Sequence, residues 1–313
     1  MRLGVCIFGF FAARPTSADE FIRLAEQFQL QSVEIDATLL MPKPQRVREL
    51  LERNGMSCVV ASGQLLQADI ESLLTLAHQL NAKAVRVILS SVLEGDRQKV
   101  DGGDWQAHLR RCAERLRQLA STLERFGIPL ALENHQDAMA EELVWLCEQS
   151  GTSLIGVCFD TGNPLAVLQD PIEFAKIVAP FVRDVHLKDY RLLRAPQGFY
   201  LQRCPLGKGV VDFEAVLRTL ANQAPQDLTL HIELGALQKR HIRWHDPSWW
   251  ASFPPSHRSD ATTLLERIEC LIEDGGEDAS QPHDATKREQ ELKEFAESVA
   301  FMRSVLALIG QGG

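Results

Sequence analysis

Short apolar, β-rich runs alternate with amphipathic stretches along almost the whole chain. Runs at 3–8, 32–36, 57–61, 84–89, 129–133, 156–160, 182–187 and 228–233 read as strands. Several are apolar at nearly every position, as parallel strands buried on both faces are. Helical signals fall between them. Ser17-Ala18-Asp19-Glu20 is a capping box opening a helix to about 29. Further helices are predicted at 46–53, 70–80, 105–126, 141–148, 171–178 and 213–221, with stops such as Asn54-Gly55 and Gly127. Eight strands with interposed helices close most economically into a single-domain (β/α)8 TIM barrel over residues 1–313. An open doubly wound sheet is the competing architecture, but no Gly-rich dinucleotide fingerprint follows the first strand.

Two segments exceed the minimal barrel. Residues 241–260 are rich in Trp, His and Pro, and are expected to lie as a loop over the barrel mouth. Residues 273–313 form a C-terminal extension: an acidic, glycine-containing loop at 273–284, then a helix over about 287–308. The helical spacing of Leu292, Phe295, Val299, Met302 and Val305 predicts that this helix packs on the barrel wall.

Composition narrows the function classes. With 313 residues and 45% hydrophobic content, the chain can fill one large barrel. A formal net charge of -9 argues against general affinity for nucleic acid. No apolar run approaches the ~18 residues of a membrane span. The apolar residues 1–11 are followed by Arg14-Pro15 and read as a first buried strand rather than a signal peptide. Seven cysteines with no C-x-x-C pair argue against a disulfide framework and for small buried hydrophobes in a reducing, cytoplasmic setting. The expected partner is a small carbohydrate-like substrate, with no nucleic acid and no membrane; a homo-oligomer stays open.

Four consecutive strands end on metal-competent side chains: Glu133, Asp160, His186 and Glu233. In a parallel barrel all carboxyl-terminal strand ends meet at one mouth. A carboxylate at the end of an apolar strand is costly unless compensated, and one divalent cation compensates three carboxylates and orients one imidazole. An ordinary helix-capping or strand-end role explains any single position, but four in a row make accident the weaker account.

The segments Glu133-Asn134, Phe159-Asp160-Thr161-Gly162-Asn163, His186-Leu187-Lys188-Asp189, Leu206-Gly207-Lys208-Gly209-Val210-Val211-Asp212-Phe213 and Ile232-Glu233 occur in order. With them the chain, over about residues 1–272, resembles the sugar-phosphate isomerase/epimerase family of xylose-isomerase-like barrels. The resemblance implies that Glu133, Asp160, His186 and Glu233 hold one divalent cation, with Mn2+ favoured and Mg2+, Co2+ or Zn2+ as alternatives. It also implies that Glu133 and Glu233 are the acid/base pair, acting on opposite faces of the substrate. A cation chelating adjacent carbonyl and hydroxyl oxygens acidifies the C–H between them, and a positioned carboxylate removes the proton.

Substrate contacts are expected at His135, Lys188, Arg86, Asn163 and Trp249, each beside a structural alternative. His135 can instead satisfy its loop. Lys188 can pair with Asp189 or Glu233. Arg86, inside strand four, fits a buried ion pair better than a substrate contact. Glu34 and Asp36 share one face of strand two and are expected near the mouth. Gly207 and Gly209 read as a tight turn, not a phosphate loop. The leading function is an isomerase or epimerase of a small ketose or related hydroxy-carbonyl sugar. A dehydratase or decarboxylase on the same scaffold is the alternative. An endonuclease IV-like nuclease and a non-catalytic sugar-binding protein rank below both, since Asn163 stands where the nuclease branch has a histidine.

Overall fold

Eight parallel strands close into a barrel in a computed structural model that describes residues 1–225, 227–235, 238–274 and 284–310. They are β1 (Arg2–Cys6), β2 (Ser32–Asp36), β3 (Ser57–Gln64), β4 (Ala84–Ile88), β5 (Leu130–Glu133), β6 (Ile155–Asp160), β7 (Val182–Leu187) and β10 (Thr229–Ile232). β1 pairs with both β2 and β10, so no barrel edge is left open. The helices Ala18–Gln27, Pro44–Arg53, Ile70–Leu80, Trp105–Phe126, Ala140–Gln149, Pro171–Val178 and Phe213–Gln223 surround it. Ser17, Asp69, Asp104, Asp170 and Asp212 cap five of them by accepting backbone N–H bonds, which satisfies donors the first turn cannot. The expected barrel, strand by strand, is the observed one.

The departures lie at the carboxyl-terminal end. Between β7 and the next helix the chain inserts a hairpin, β8 (Tyr190–Ala195) and β9 (Gly198–Arg203), and β11 (Arg240–Ile242) joins it as a third antiparallel strand. The sequence reading had assigned no strand here. Tyr190, Leu192, Phe199, Leu201 and Ile242 face a second apolar cluster with Leu165, Trp249, Phe253 and Ile268, separate from the main barrel core.

That cluster corrects the expected lid. Trp249 is only 3% exposed, stacks on Phe253 at 4.6 Å, and donates Nε1 to the Glu94 carbonyl at 2.8 Å. Trp250 donates to the Trp244 carbonyl at 2.7 Å. Arg97, wholly buried, lies over the Trp105 and Phe253 rings and pairs with Glu142 at 2.6 Å. These rings are the core of a buttress beside the mouth. Trp249→Ala is therefore expected to destabilise the protein by about 3–5 kcal/mol, as truncation of a buried aromatic does, with little change in KM. Denaturant unfolding beside substrate kinetics checks this.

The helix Asp284–Gly310 packs against the helix Phe213–Gln223 and β10, taking the place of an eighth barrel helix. Phe295, Val299, Met302 and Val305 are buried, as their spacing predicted. The helix also reaches loops at the mouth. Glu291 accepts from the Phe11 and Ala13 amides, and Ser298 Oγ accepts from Leu206 N at 3.0 Å. Of the acidic loop expected at 273–284, Glu273 pairs with Arg191, and residues 275–283 lie outside the described residues. All seven cysteines are free; six are buried and Cys270 is exposed. Among the described residues no helix is long and apolar enough to cross a membrane.

Candidate metal centre and active-site cavity

Barrel register brings the four strand-end side chains together. Asp160 pairs in register with His186, and His186 with His231, two residues before Glu233. Side chains alternate along a strand, so Glu233 shares the inward face with His231 and His186. Glu133, Asp160, His186 and Glu233 place one ligand atom each within 4.8 Å of one another, all four buried.

The neighbouring motif residues fix the strand tips. Asn134 binds the Asp160 backbone twice, donating Nδ2 to its carbonyl at 2.9 Å and accepting from its N–H at 2.7 Å. Thr161 likewise ties to Lys188, accepting from its N–H and donating to its carbonyl. Asp160 Oδ1 accepts from the Gly162 and Asn163 amides at 3.0 and 3.1 Å, which leaves Oδ2 turned to the centre.

Asp189 anchors the next loop. Its carboxylate accepts from the backbone N–H of Tyr190, Gly207, Gly209 and Val211 at 2.9–3.1 Å. Gly209 is required, because a Cβ there would lie 2.2 Å from Asp189 Oδ1 and 2.4 Å from the Tyr190 carbonyl oxygen. The glycine-rich segment thus wraps a carboxylate of the chain itself. Each donor left unpaired costs about 1–3 kcal/mol, less where water reaches it, so Asp189→Ala should cost about 3 kcal/mol or more. A fall in Tm of about 5–10 °C would register this loss.

Charge and hydrogen bonding decide whether the cluster fits a cation. Glu34 accepts Nε2–H of His186 at 2.5 Å, so when the ring is neutral, as a metal ligand must be, its Nδ1 lone pair faces the cluster. His186 Nδ1 lies 2.7 Å from Glu233 Oε2, yet neither it nor Asp160 Oδ2 forms a well-directed hydrogen bond. Four buried carboxylates, of Glu34, Glu133, Asp160 and Glu233, face only two fixed cations. Arg86 binds Glu34 at 2.7 Å and Glu133 at 3.4 Å. Lys188 binds Asp160 at 2.6 Å and Glu233 at 3.0 Å. A divalent ion supplies the charge that is missing, and three carboxylates with one imidazole are a suitable oxygen-rich donor set for it. The residues fit the group, and Glu133, Asp160, His186 and Glu233 would hold it.

In the metal-free protein the excess negative charge acts on protonation. Burial disfavours imidazolium at His186, but Cys158, Glu34, Glu233 and Glu133 outweigh it and raise its pKa well above the ordinary value. Burial also pushes Glu133 up, but Arg86 and His186 prevail and hold it at about 2. Glu233 is held low against burial by Lys188 and His186.

Below the cluster lies a second polar layer. Asp184 accepts from Thr229 at 2.5 Å and pairs with His231 Nδ1 at 2.9 Å, while His231 Nε2 meets Ser32 Oγ at 2.8 Å. Gly4 makes room for it, since a Cβ there would sit 2.6 Å from the His231 ring. Glu34 belongs to this layer. It was expected near the mouth but lies wholly buried behind Arg86 and His186, whereas Asp36 does line the cavity.

Above the cluster opens a cavity of about 370 Å³ lined by Glu133, Glu233, Arg86, His135, Asn163 and Lys188 among others. His135 Nδ1 and Asn163 Nδ2 are buried without hydrogen-bond partners. Burial chiefly lowers the His135 pKa and so favours its neutral form. Tyr190 and Gln136 also line this wall, Gln136 Nε2 donating to Tyr190 Oη at 3.1 Å and Tyr190 Oη to Asn163 Oδ1 at 3.2 Å. The structure places Lys188 against Asp160 and Glu233, not Asp189. Trp249, expected as a substrate contact, does not line the cavity, because its ring is consumed in the buttress. Sequence reasoning missed Tyr190, Gln136, Arg203 and Arg240, all cavity residues, three of them on strands it had not assigned.

The barrel and its carboxyl-end cluster define a class that direct comparison also identifies. A family model described as "Xylose isomerase-like TIM barrel" matches residues 22–251, and the chain belongs to that family. It is 24% identical over 178 residues to 3-oxo-isoapionate decarboxylase of Pectobacterium atrosepticum, covering 56% of this chain and 61% of that one. It is 31% identical over 99 residues to the uncharacterized protein YihM of Escherichia coli, covering 32% of this chain and 30% of YihM. The matches thus span less than two thirds of either relative. A solved D-psicose 3-epimerase superposes with a TM-score of 0.68 at 16% identity, covering 98% of this chain and 99% of the other, and supports the fold alone.

Proposed function

We propose that the chain is a divalent-metal-dependent isomerase or epimerase of a small ketose or related hydroxy-carbonyl sugar. The observation that carries this reading is the pair Glu133 and Glu233, two carboxylates of one candidate metal cluster that also line the same cavity. When bound, the cation would act as a Lewis acid on adjacent substrate oxygens and stabilise charge developing between them. Glu133 and Glu233 stand ready to take and return a carbon-bound proton. His135 and Asn163 offer unpartnered polar atoms to substrate hydroxyls. Arg86, with His186, keeps Glu133 ionised, in the form that can accept a proton.

Loss of carbon dioxide from an oxo-sugar acid is the second reading, favoured by the relative named as a decarboxylase. One experiment separates the two. Mn2+-loaded protein is incubated in D2O with ketoses, inososes and oxo-sugar acids. NMR follows deuterium at carbon while released carbon dioxide is measured in the same tube. An isomerase or epimerase places solvent deuterium in the product without gas release, and a decarboxylase gives both. Product formed with no solvent hydrogen at any carbon would falsify both readings.

A further inference from the structure

The floor and the hairpin side of the cavity differ in charge. On the floor, Arg86 and Lys188 are each matched by carboxylates at 2.6–3.4 Å. On the hairpin side stand Arg203 and Arg240. Arg240 pairs in register with Leu201, and Arg203 lies two residues beyond Leu201 and opposite Tyr190. Alternation puts Arg240, Arg203 and Tyr190 on one face of the three-stranded sheet, the two arginines as diagonal neighbours. All three side chains line the cavity.

Arg203 is only 7% exposed. Its Nη1 donates to Glu294 of the C-terminal helix at 2.6 Å, while its buried Nε has no acceptor. Beyond its backbone pairing with Leu201, the Arg240 side chain forms no hydrogen bond or ion pair with any described residue. Asp36, the remaining acidic side chain of the cavity outside the cluster, already accepts from Thr38 N and Oγ1 at 2.9 and 2.5 Å. This chain carries a net charge of -9, so two guanidinium groups from neighbouring strands with spare donors in the cavity above the cluster call for an anion.

We propose that Arg203 and Arg240 form an anion subsite, so that the substrate is a hydroxy-carbonyl sugar bearing a carboxylate or a phosphate. The inference rests on the reading above that the cavity takes a sugar. The planar fork of a guanidinium matches either group, and the three-stranded sheet supplies two forks to one wall. Tyr190, Gln136 and Asn163 lie beside them for the polyol. A neutral ketose offers these guanidinium groups hydroxyl acceptors but no negative charge, so it forgoes the charge-assisted pairing and the subsite favours anionic sugars over neutral ones.

The test is titration calorimetry on the Mn2+-loaded protein with three probes of one carbon skeleton: xylonate, xylitol 5-phosphate and neutral xylitol. At least one charged probe is expected to bind about tenfold or more tightly than xylitol, and Arg240→Gln to bring it within about threefold. Whichever probe shows the preference names carboxylate or phosphate as the recognised group. The Arg240 side chain is bonded to none of the described residues, so its variant should fold; Arg203→Gln should act in the same direction, with a thermal melt to check the lost Glu294 contact. Xylonate can also chelate the cation directly, but that preference would survive Arg240→Gln. The proposal is overturned if neither charged probe binds more tightly than xylitol, or if the preference persists in Arg240→Gln. Isotope exchange reads the proton chemistry separately. Exchange with an arginine-independent preference rejects the subsite alone, and an arginine-dependent preference with no exchange during turnover rejects the chemistry alone.

Discussion

Glu133→Gln and Glu233→Gln should each lose turnover by about a hundredfold or more, the scale on which a positioned acid or base acts, while the barrel stays folded. The amide keeps the shape of the carboxylate and one oxygen toward the cluster, so partial cation binding persists. What it removes is basicity. The two side chains come from β5 and the end of β10, whose positions in the barrel are separated by β6 and β7. A carbon held between them can lose its proton to one and regain a proton from the other, which inverts a stereocentre. Return of the proton to the neighbouring carbon by a single group instead gives an aldose–ketose shift. Solvent deuterium should therefore vanish from product in whichever variant removes the base. Metal content and thermal melts of each variant separate this from loss of the site. Near-normal rates in both variants would reject the assignment.

How much of this was legible beforehand follows from where each signal lives. The strands 32–36 and 182–187 and the helices 70–80, 105–126 and 171–178 coincide with the observed elements, because burial on both faces and capping side chains are local patterns. The ligand-type residues were visible because a charged group at the end of an apolar run contradicts its surroundings. The hairpin was missed although its pattern was present: Tyr190 and Leu192 alternate on one side of Pro196-Gln197-Gly198, and Phe199 and Leu201 on the other. In a barrel, the expectation that a helix follows each strand masked it. Arg203 and Arg240 could not be recognised as neighbours while β9 and β11 were unassigned. The Trp-rich segment failed differently. Composition tells that Trp249 and Phe253 must be buried, but not whether sugar or protein buries them, and Leu165, Ile268 and Arg97 are distant in sequence. Glu34 shows the same limit. Its inward face was readable, but its depth depends on the barrel register that sets it behind His186.

That depth leads to the second large effect, on cation affinity. Purified protein is expected to carry one divalent ion per chain by elemental analysis, and a chelator to remove it with reversible loss of activity. Asp160→Ala and His186→Ala should lower metal affinity most, since each deletes one ligand atom of the cluster outright. Glu34→Gln deletes no donor. It replaces the carboxylate that accepts Nε2–H of His186 with an amide that can present its N–H₂ instead, so the tautomer with a free Nδ1 is no longer enforced. Such outer partners are worth about 10–100-fold in metal affinity, and Glu34→Gln should fall in that range with Mn2+ or Zn2+. The variant also unpairs part of Arg86, whose Nε and Nη2 both donate to Glu34, and a melt must accompany the titration. Ser32→Ala provides the control. It removes a partner of His231, one layer lower, and should leave metal affinity unchanged. Equal loss in Ser32→Ala and Glu34→Gln would mean that general loosening of the barrel core, not orientation of His186, sets the affinity.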